Sequence, residues 1–498
     1  MMLTPQQILL RSFAKNKKKN AIWSERYFSY GYLGSLIDKV SFFLLNKEKK
    51  KICVLATKSV YFYSVILSII FCKKILIPLS KNFSSKKNLH ILKMSEADLI
   101  LYDEKSELEA KNLKKKLKSK KIDIFSFNNI MKKKNRLKKL NYTNSKMTDI
   151  VYILFTSGST GMPKGVEISN INLSNYLYEL KSRYNFSSRD KFSNNFDVTF
   201  DLFMHDFFLS FMNGSCLYLP NKNYYLNPSL FIKKHKLTCW FSVPSLASNM
   251  KNLRQLKKNK FPSLRYSAFC GEALPFEIAN SWKVSSPKSI IENLYGPTEN
   301  TIAVMGYRFT KNTEKECLNN IVPIGKIFKG NNILPSNKKV FELCISGSQV
   351  FNGYIKNSDL NKKVFTKFKK KKFYKTGDLV KKNKFNNYCY IGRKDRQIKV
   401  RGFRIEPQEI EREIKDFTKS KEVIVIGWPS LNKKNFSYKG LAAFIVKSKI
   451  KNLNKIINYL QKSLSVLQTP NKIIFLSRLK YNSNGKVDHN WLENSLKT

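Results

Sequence analysis

The chain has 498 residues, more than the roughly 250–300 at which a single hydrophobic core stops growing, so we expect two or more domains. Apolar residues make up 42% and aromatic residues 13%, which excludes a chain that is disordered throughout. The net charge is +57, and a basic nucleic-acid-binding protein is therefore the non-enzymatic alternative. Only 14 of the 92 basic residues are Arg, and the Lys runs are scattered. This pattern favours solvated basic faces, and no specific nucleic-acid partner is expected.

Cysteine and histidine usage indicates neither a zinc site nor a disulfide scaffold. The eight Cys form no Cys-x-x-Cys pair and the four His lie far apart in the sequence, so we predict a chain of the reducing cytoplasm. The most apolar stretch, residues 60–72, is shorter than the roughly 20 residues that span a bilayer. It predicts a buried helix, and we expect no membrane insertion and no export signal.

In chain order, short apolar runs of strand length alternate with helical periods. Strands are predicted over residues 52–56, 75–78, 99–102, 150–155, 238–243, 266–270 and 290–294. This alternation predicts a parallel sheet covered by helices, with ligands at the carboxyl ends of its strands. Beyond residue 323 the pieces become shorter, and the composition changes again near Asp395.

These patterns predict an α/β protein of two domains. The large N-terminal domain of helix-covered sheets spans residues 1–395, and a small, mobile α+β domain spans residues 396–498, with a hinge at Asp395.

The loop that follows strand 150–155 predicts a phosphate-binding site. Its three glycines let backbone N–H groups turn toward anionic oxygens, its hydroxyls donate, and Lys164 supplies charge. It is not a Walker A loop, because Met162 and Pro163 separate the second glycine from the lysine. The candidate residues are Thr156, Ser157, Gly158, Ser159, Thr160, Gly161 and Lys164.

Four further motifs follow this loop in order. They are Tyr-Gly-Pro-Thr-Glu at 295–299, Tyr-Lys-Thr-Gly-Asp at 374–378, Gly-Arg-Lys-Asp-Arg-Gln-Ile-Lys at 392–399 and Asn-Gly-Lys-Val-Asp at 484–488. Together the five motifs resemble the adenylate-forming superfamily of acyl-CoA synthetases, luciferases and peptide-synthetase adenylation domains, over nearly the whole chain. The resemblance implies a ligase that uses ATP and Mg²⁺, forms an acyl adenylate and releases pyrophosphate.

The chemistry of these residues suits a nucleotide site. Tyr295 can stack on a purine, Thr298 can donate to a phosphate, and Glu299 can hold Mg²⁺. Asp378, which we place in a glycine-containing turn, can accept two ribose hydroxyls. The resemblance implies the same roles and adds Arg393 at the ribose. It also extends the ATP site to Asn293, Leu294, Gly296, Pro297, Tyr390, Ile391 and Gly392.

Lys486 follows Asn484-Gly485, a strong hairpin signal, so its ammonium would be presented at a turn. The resemblance implies that Lys486 is the catalytic lysine and contacts both ATP and the substrate. It also implies that Asp395 is the pivot of the terminal domain.

Two Phe-Asp pairs, Phe196-Asp197 and Phe200-Asp201, are candidates for holding the ammonium group of an amino acid. By resemblance, the spacing to Gly214 favours Asp201. A buried carboxylate would pair with the ammonium of an amino acid but would be left unpaired beside an aliphatic chain, so the sequence favours an amino acid over a fatty acid as substrate. The alternative is an Asp that caps the next helix.

The segments 268–275 and 295–304 are similar to those of D-alanine:D-alanyl carrier protein ligases. The resemblance implies that Cys270 lies beside a small substrate side chain, although a plain core residue is the alternative. It also places Leu202, His205, Leu294 and Ile302 in the pocket. His205 departs from the apolar residue expected there, which leaves the identity and stereochemistry of the amino acid open.

The predicted function is ATP-dependent adenylation of a small amino acid and transfer to a carrier thiol, with D-alanine:carrier protein ligase favoured. Because the chain has no Gly-Gly-x-Ser attachment site, we expect a separate phosphopantetheinylated carrier protein as partner. Carrier proteins are usually acidic, which gives the positive charge a second explanation. The rival enzymes are a stand-alone peptide-synthetase adenylation protein for another amino acid, and an acyl-CoA synthetase.

Overall fold

The computed structural model describes residues 2–117, 122–133, 140–157, 163–430, 437–481 and 487–496. Gly158, Ser159, Thr160, Gly161 and Lys486 lie outside these residues. The chain divides into two compact units. The first comprises Met1–Lys81, Asn88–Thr156 and Lys164–Lys394, and the second comprises Asn82–Lys87, Ser157–Pro163 and Asp395–Thr498.

A six-stranded sheet forms one layer of the first unit. Its strands, in spatial order, are Asp123–Ser126, Leu99–Tyr102, Lys51–Leu55, Ile75–Leu79, Ile150–Thr156 and Lys164–Ser169. All neighbours are parallel except the last pair. Ile52, Val54 and Leu99 are fully buried, as expected for continuous apolar strands covered on both faces.

A nine-stranded sheet carries three of the strands predicted to end at a ligand site. Its order is Lys326–Ile327, Met305–Arg308, Ile290–Tyr295, Tyr266–Phe269, Cys239–Ser242, Lys191–Ser193, Cys216–Tyr218, Asn20–Ser24 and Arg26–Ser29. The strands from Ile290–Tyr295 to Asn20–Ser24 are parallel, and the antiparallel pairs lie at the two edges. The carboxyl ends of the predicted strands therefore share one edge.

A five-stranded antiparallel sheet completes the first unit. Its strands are Asn331–Ile333, Phe341–Gly347, Lys371–Lys382, Phe365–Phe368 and Tyr388–Arg393, and the last pairs with Lys371–Lys382. Asp378 lies inside a strand, so the prediction that it occupies a turn was wrong. Gly377 has a φ of +75° within this strand, and the register shifts nearby, between Leu379 and Val380. The glycine therefore marks an irregularity inside a strand rather than the end of one.

Helices pack against these sheets and contribute to the core with them. Val60–Phe71 begins at Ser59, whose side chain accepts from the Phe62 N–H, and it is buried along its length, as predicted. In the described part of the chain, no helix is both long and apolar enough to cross a membrane. The remaining helices of this unit are Pro5–Lys15, Tyr30–Leu45, Glu107–Leu117, Phe127–Lys132, Asn170–Arg183, Leu202–Met212, Lys222–Leu226, Pro228–His235, Pro244–Asn252, Phe276–Ser285, Thr313–Glu316 and Ser358–Val364, and Ser85–Ser95 is divided between the two units.

The second unit combines two small sheets with helices. Its strands are Phe403–Ile405, Ile398–Val400 and Ser437–Tyr438 in one sheet, and Glu422–Gly427, Leu441–Val446 and Lys472–Leu476 in the other. Its helices are Pro407–Thr418, Leu453–Ser463 and His489–Asn494. Both units thus combine helices and sheets, which confirms the predicted α/β class.

Candidate active site

The loop after strand Ile290–Tyr295 forms the centre of the site, and we call residues 296–303 the central loop. It contains the 3₁₀ turn Thr298–Asn300, followed by Thr301 and Ile302 at φ values of +58° and +68°. A left-handed backbone is costly for β-branched residues, so this loop is strained. A Cβ on Gly296 would lie 2.6 Å from the Cα of Ala303, which shows how closely the loop folds back on itself.

Asp201 faces this loop from the start of helix Leu202–Met212. It occupies the N-cap position but makes no side-chain capping hydrogen bond, so the capping alternative does not describe its carboxylate. The Thr298 hydroxyl and the backbone N–H groups of Leu202 and Ile302 lie close to it instead and favour its ionised form, which lowers its pKa. Its Oδ2 atom is buried without a hydrogen-bond partner among the described residues. One carboxylate oxygen is therefore available to a ligand.

Burial is the main influence on the acidity of Asp201. It raises the pKa to about 7, and the nearby charge of Glu299 acts in the same direction, while the Thr298 hydroxyl and the N–H groups of Leu202 and Ile302 oppose the rise. A cationic group placed against Oδ2 would favour the ionised carboxylate and lower this pKa.

The predicted pocket residue His205 lies one turn further along the same helix. Its Nδ1 atom is 2.6 Å from the Tyr176 hydroxyl, and its ring is stacked on Phe241 at a centroid distance of 4.0 Å. Burial lowers the pKa of His205 to about 3, so the imidazole is neutral near pH 7. Cys270, directly after strand Tyr266–Phe269, is fully buried.

A small cavity of about 10 Å³ lies beside His205 and holds roughly one water-sized group. Asp206 also lines it, and neither carboxylate oxygen of Asp206 has a hydrogen-bond partner among the described residues. Burial raises the pKa of this carboxyl well above its usual range, and Lys58 opposes that rise. The helix thus carries two buried acids, and the donors from the central loop go to Asp201.

Asp378 and Arg393 lie directly opposite each other on paired antiparallel strands. The Arg393 Nη1 atom is 2.6 Å from Asp378 Oδ1, and both side chains are almost completely buried. The Tyr295 hydroxyl donates to Asp378 Oδ2 at 2.5 Å. The structure therefore brings together three residues that the sequence assigned to base and ribose binding.

Glu299 is fully buried, and its Oε1 atom accepts a hydrogen bond of 2.6 Å from the Tyr354 hydroxyl. The Nζ atom of Lys164 lies 5.0 Å from the centre of the Tyr354 ring. Tyr354 thus connects the predicted metal-binding carboxylate with the lysine of the phosphate loop. Tyr354 lies in none of the five sequence motifs, although Gly353 before it, at φ +145°, is a signal for an unusual backbone.

The phosphate loop is described only at its ends. Thr156 is the last residue of strand Ile150–Thr156, and none of the described residues hydrogen-bonds its buried hydroxyl. Ser157 is also buried, and Lys164 begins the next strand of the same sheet. The glycine-rich part between them lies outside the described residues.

Five of the other predicted site residues lie on the two strands that carry Tyr295 and Arg393. Leu294 and Asn293 belong to strand Ile290–Tyr295, where the Asn293 amide donates to the carbonyl oxygens of Val322 and Pro323. Tyr390, Ile391 and Gly392 belong to strand Tyr388–Arg393. Leu202 and Ile302 are buried, Pro297 precedes the 3₁₀ turn, and Asp395 is the first residue of the main segment of the second unit.

Comparison with known proteins places this site in a family. Residues 9–355 match the family described as AMP-binding enzyme. The chain is 34% identical over 352 residues to gramicidin S synthase 2 of Brevibacillus brevis, a match that covers 68% of this chain and 8% of that protein. It is 30% identical over 349 residues to the D-alanine--D-alanyl carrier protein ligase of Staphylococcus haemolyticus, covering 69% of this chain and 70% of that one.

The fold has close counterparts among solved structures. The Vibrio cholerae adenylation domain AlmE, solved in complex with glycyl-adenosine-5'-phosphate, superposes with a TM-score of 0.88 at 24% identity and covers 99% of this chain and 97% of that chain. The family match spans more than half of the chain, and it includes the phosphate loop, the central loop and Asp201. The chain therefore belongs to the AMP-binding enzyme family, which confirms the resemblance to adenylate-forming enzymes.

Proposed function

We propose that the chain is an adenylate-forming ligase that activates a small amino acid with ATP and passes it to the thiol of a separate carrier protein. The observation that carries the proposal is Asp201, whose buried carboxylate keeps one oxygen without a hydrogen-bond partner among the described residues. A substrate ammonium would pair with this charge, whereas a fatty acid would leave it buried and unpaired.

The first half-reaction joins the amino acid to AMP. A carboxylate oxygen of the amino acid attacks the α-phosphorus of ATP, the bond from that phosphorus to the oxygen bridging to the β-phosphate breaks, and pyrophosphate leaves. Asp201 would orient the amino acid through its ammonium, while the Asp378 carboxylate, held by Arg393, would accept the ribose hydroxyls. Lys486 is proposed to stabilise the charge that develops on the phosphate.

Glu299 fits the chemistry of a magnesium ligand. Mg²⁺ commonly binds through one or two carboxylates together with substrate phosphates, and Glu299 offers a buried carboxylate adjacent to Thr298. When bound, the ion would neutralise charge on the phosphates. The hydrogen bond from Tyr354 fixes the orientation of the carboxylate for that purpose.

The second half-reaction transfers the aminoacyl group. A carrier thiolate attacks the carbonyl carbon of the adenylate, a thioester forms, AMP leaves, and the thiol proton passes to solvent.

The name of the Staphylococcus haemolyticus relative supports D-alanine and a carrier protein as substrate and partner. His205, a buried polar side chain in the predicted pocket, favours a second candidate, which is adenylation of another amino acid for peptide synthesis.

The test is ATP–pyrophosphate exchange with the purified protein against L- and D-amino acids, fatty acids and aryl acids. We expect exchange with small amino acids, and with D-alanine above the others. Mass spectrometry of a phosphopantetheinylated carrier should then show the added aminoacyl mass. Exchange with fatty acids but with no amino acid would contradict the proposal, and preference for a different amino acid would support the second candidate.

The raised pKa of Asp201 predicts that the KM for the amino acid depends on pH. Because its pKa is about 7 in the free protein, the carboxyl is mostly protonated below that pH and cannot pair with an ammonium. The KM for the amino acid at saturating ATP should therefore fall roughly tenfold as the pH rises from about 6 to about 8, as expected for one titrating group. Inhibition by propanoate, which lacks the ammonium, is the control and should not strengthen over this range. A flat KM would contradict the pairing.

A further inference from the structure

We propose that Gln349 is a positioning residue, which holds the strained central loop in the conformation that orients Asp201 toward the amino acid. This inference rests on the proposed function. Gln349 comes two residues after strand Phe341–Gly347 of the five-stranded sheet, and its side chain is fully buried. The loop that it contacts follows a strand of the nine-stranded sheet, so Gln349 joins two sheets of the first unit.

The side-chain amide of Gln349 forms hydrogen bonds through both its nitrogen and its oxygen. Its Nε2 atom donates to the Ala303 carbonyl oxygen at 2.7 Å and lies 3.4 and 3.5 Å from the carbonyl oxygens of Asn300 and Thr301. Its Oε1 atom accepts from the Asn331 amide at 2.9 Å. These bonds fix which end of the amide faces the loop, because only the nitrogen can serve three carbonyl groups.

The backbone of Gln349 makes a second set of contacts with the same partners. Its carbonyl oxygen accepts from the Thr301 hydroxyl at 2.7 Å, and its N–H donates to Asn331 Oδ1 at 3.2 Å. Thr301 and Ile302 are the two residues with left-handed backbone. A conformation of that kind persists only when its surroundings determine it, and Gln349 supplies such contacts on either side of Ile302.

The central loop in turn determines the surroundings of Asp201. The Thr298 hydroxyl and the Ile302 N–H both lie close to its carboxylate and favour the ionised form, and the loop also carries Glu299. A shift of this loop would therefore move two of the donors that orient the carboxylate. Misplacement of a binding group by about 1 Å can cost as much as 100-fold in rate.

The test uses Gln349→Glu, because the introduced carboxyl can replace the amide only while it is protonated. Its O–H can then donate to the Ala303 carbonyl oxygen, whereas the ionised form would place a negative charge against it. Burial raises the pKa of the introduced carboxyl, so the contact is retained at low pH and lost as the pH rises through that pKa.

The measured quantity is the ratio of the variant's amino-acid KM to that of the wild type at each pH. We expect a ratio near one at about pH 6 that rises to about tenfold at about pH 8.5. The control is Gln6→Glu, since Gln6 is equally buried and its Nε2 donates to the Phe71 carbonyl oxygen at 2.7 Å, away from the central loop. That variant should lose thermal stability as the pH rises without any change in the KM ratio.

Two results would overturn the inference. One is a KM ratio for Gln349→Glu that stays constant with pH while its stability changes as in Gln6→Glu. The other concerns Thr301→Val, which is used if Gln349→Glu does not fold. This variant removes, at nearly equal volume, the hydroxyl that donates to the Gln349 carbonyl oxygen, and an unchanged amino-acid KM in it would overturn the inference. Absence of exchange with every acid in the wild type would instead contradict the proposed function itself.

Discussion

Replacing Asp201 with asparagine is expected to lower kcat/KM for the amino acid on the order of 100-fold or more. Removing one partner of a buried, hydrogen-bonded charge pair costs about 2–5 kcal/mol, and each 1.4 kcal/mol is a factor of about ten. Asparagine keeps the shape and one acceptor oxygen, so the contacts with Thr298 and Ile302 are largely preserved and the loss reports on charge. The measurement is ATP–pyrophosphate exchange at varied amino acid and saturating ATP, and the KM for ATP should not change.

The matched control is Asp197→Asn, because Asp197 belongs to the rival Phe-Asp pair. In the structure Asp197 Oδ1 accepts from the Thr199 N–H at 3.0 Å and from the Thr199 hydroxyl at 2.7 Å, which is a local turn contact. Its substitution should leave the amino-acid KM unchanged. If Asp197→Asn abolished exchange and Asp201→Asn retained it, the choice between the two aspartates would be reversed.

The fold was predictable from sequence because its strands are continuous apolar runs between polar loops. Strand Lys51–Leu55 and helix Val60–Phe71 lie within one or two residues of the predicted limits. A strand of a parallel sheet that is buried on both faces requires such a run, so the run of apolar residues is enough to identify the strand. The turn predicted at Gly377 was wrong, because a glycine indicates an unusual backbone conformation but does not distinguish a turn from an irregularity within a strand.

Candidate site residues could be predicted from sequence where they belong to a motif, but not where they contact the site from a distant part of the chain. Tyr295, Asp378 and Arg393 come from three motifs. Asp378 and Arg393 meet through strand pairing, and the Tyr295 hydroxyl reaches Asp378 from a strand of the nine-stranded sheet. Gln349 lies 46 positions from Ala303, and no spacing rule connects them. Tyr176 and Phe241 likewise reach His205 from other elements, so only packing reveals them.

Tertiary contacts also distinguish the two buried aspartates, Asp201 and Asp206. Asp206 and Asp201 lie on one helix and both are buried, yet only Asp201 receives donors from the central loop. Burial of a carboxylate is costly unless it is paired, and in our proposal the central loop, a product of tertiary structure, suits Asp201 rather than Asp206 for pairing with a ligand. The resemblance favours Asp201 over Asp197, and the role of Asp201 in substrate binding stays a prediction.

The second large effect is expected for Asp378→Asn, which should raise the KM for ATP on the order of 100-fold with little change in the amino-acid KM. The Arg393 guanidinium is almost completely buried beside this carboxylate, and the Tyr295 hydroxyl donates to its other oxygen. Asparagine is preferred to alanine, because its side-chain oxygen can still accept from the buried guanidinium, so the variant keeps part of the about 3–5 kcal/mol of stability that removing the partner altogether would cost.

The nucleotide analogues 2'-deoxy-ATP and 3'-deoxy-ATP separate ribose binding from stability. In the wild type, loss of a ribose hydroxyl should lower kcat/KM for the nucleotide, because Asp378 is left without its ligand partner. In Asp378→Asn the same loss should have a much smaller effect, since the two changes remove one interaction and are not additive. Asp190→Asn breaks a pair of the same length, in which Arg265 Nη1 lies 2.6 Å from Asp190 Oδ1 and the Arg265 side chain is 42% exposed, and it should lower stability without altering the KM for ATP. Equal discrimination against the deoxy analogues by wild type and Asp378→Asn would show that Asp378 does not bind the ribose and serves only to hold Arg393.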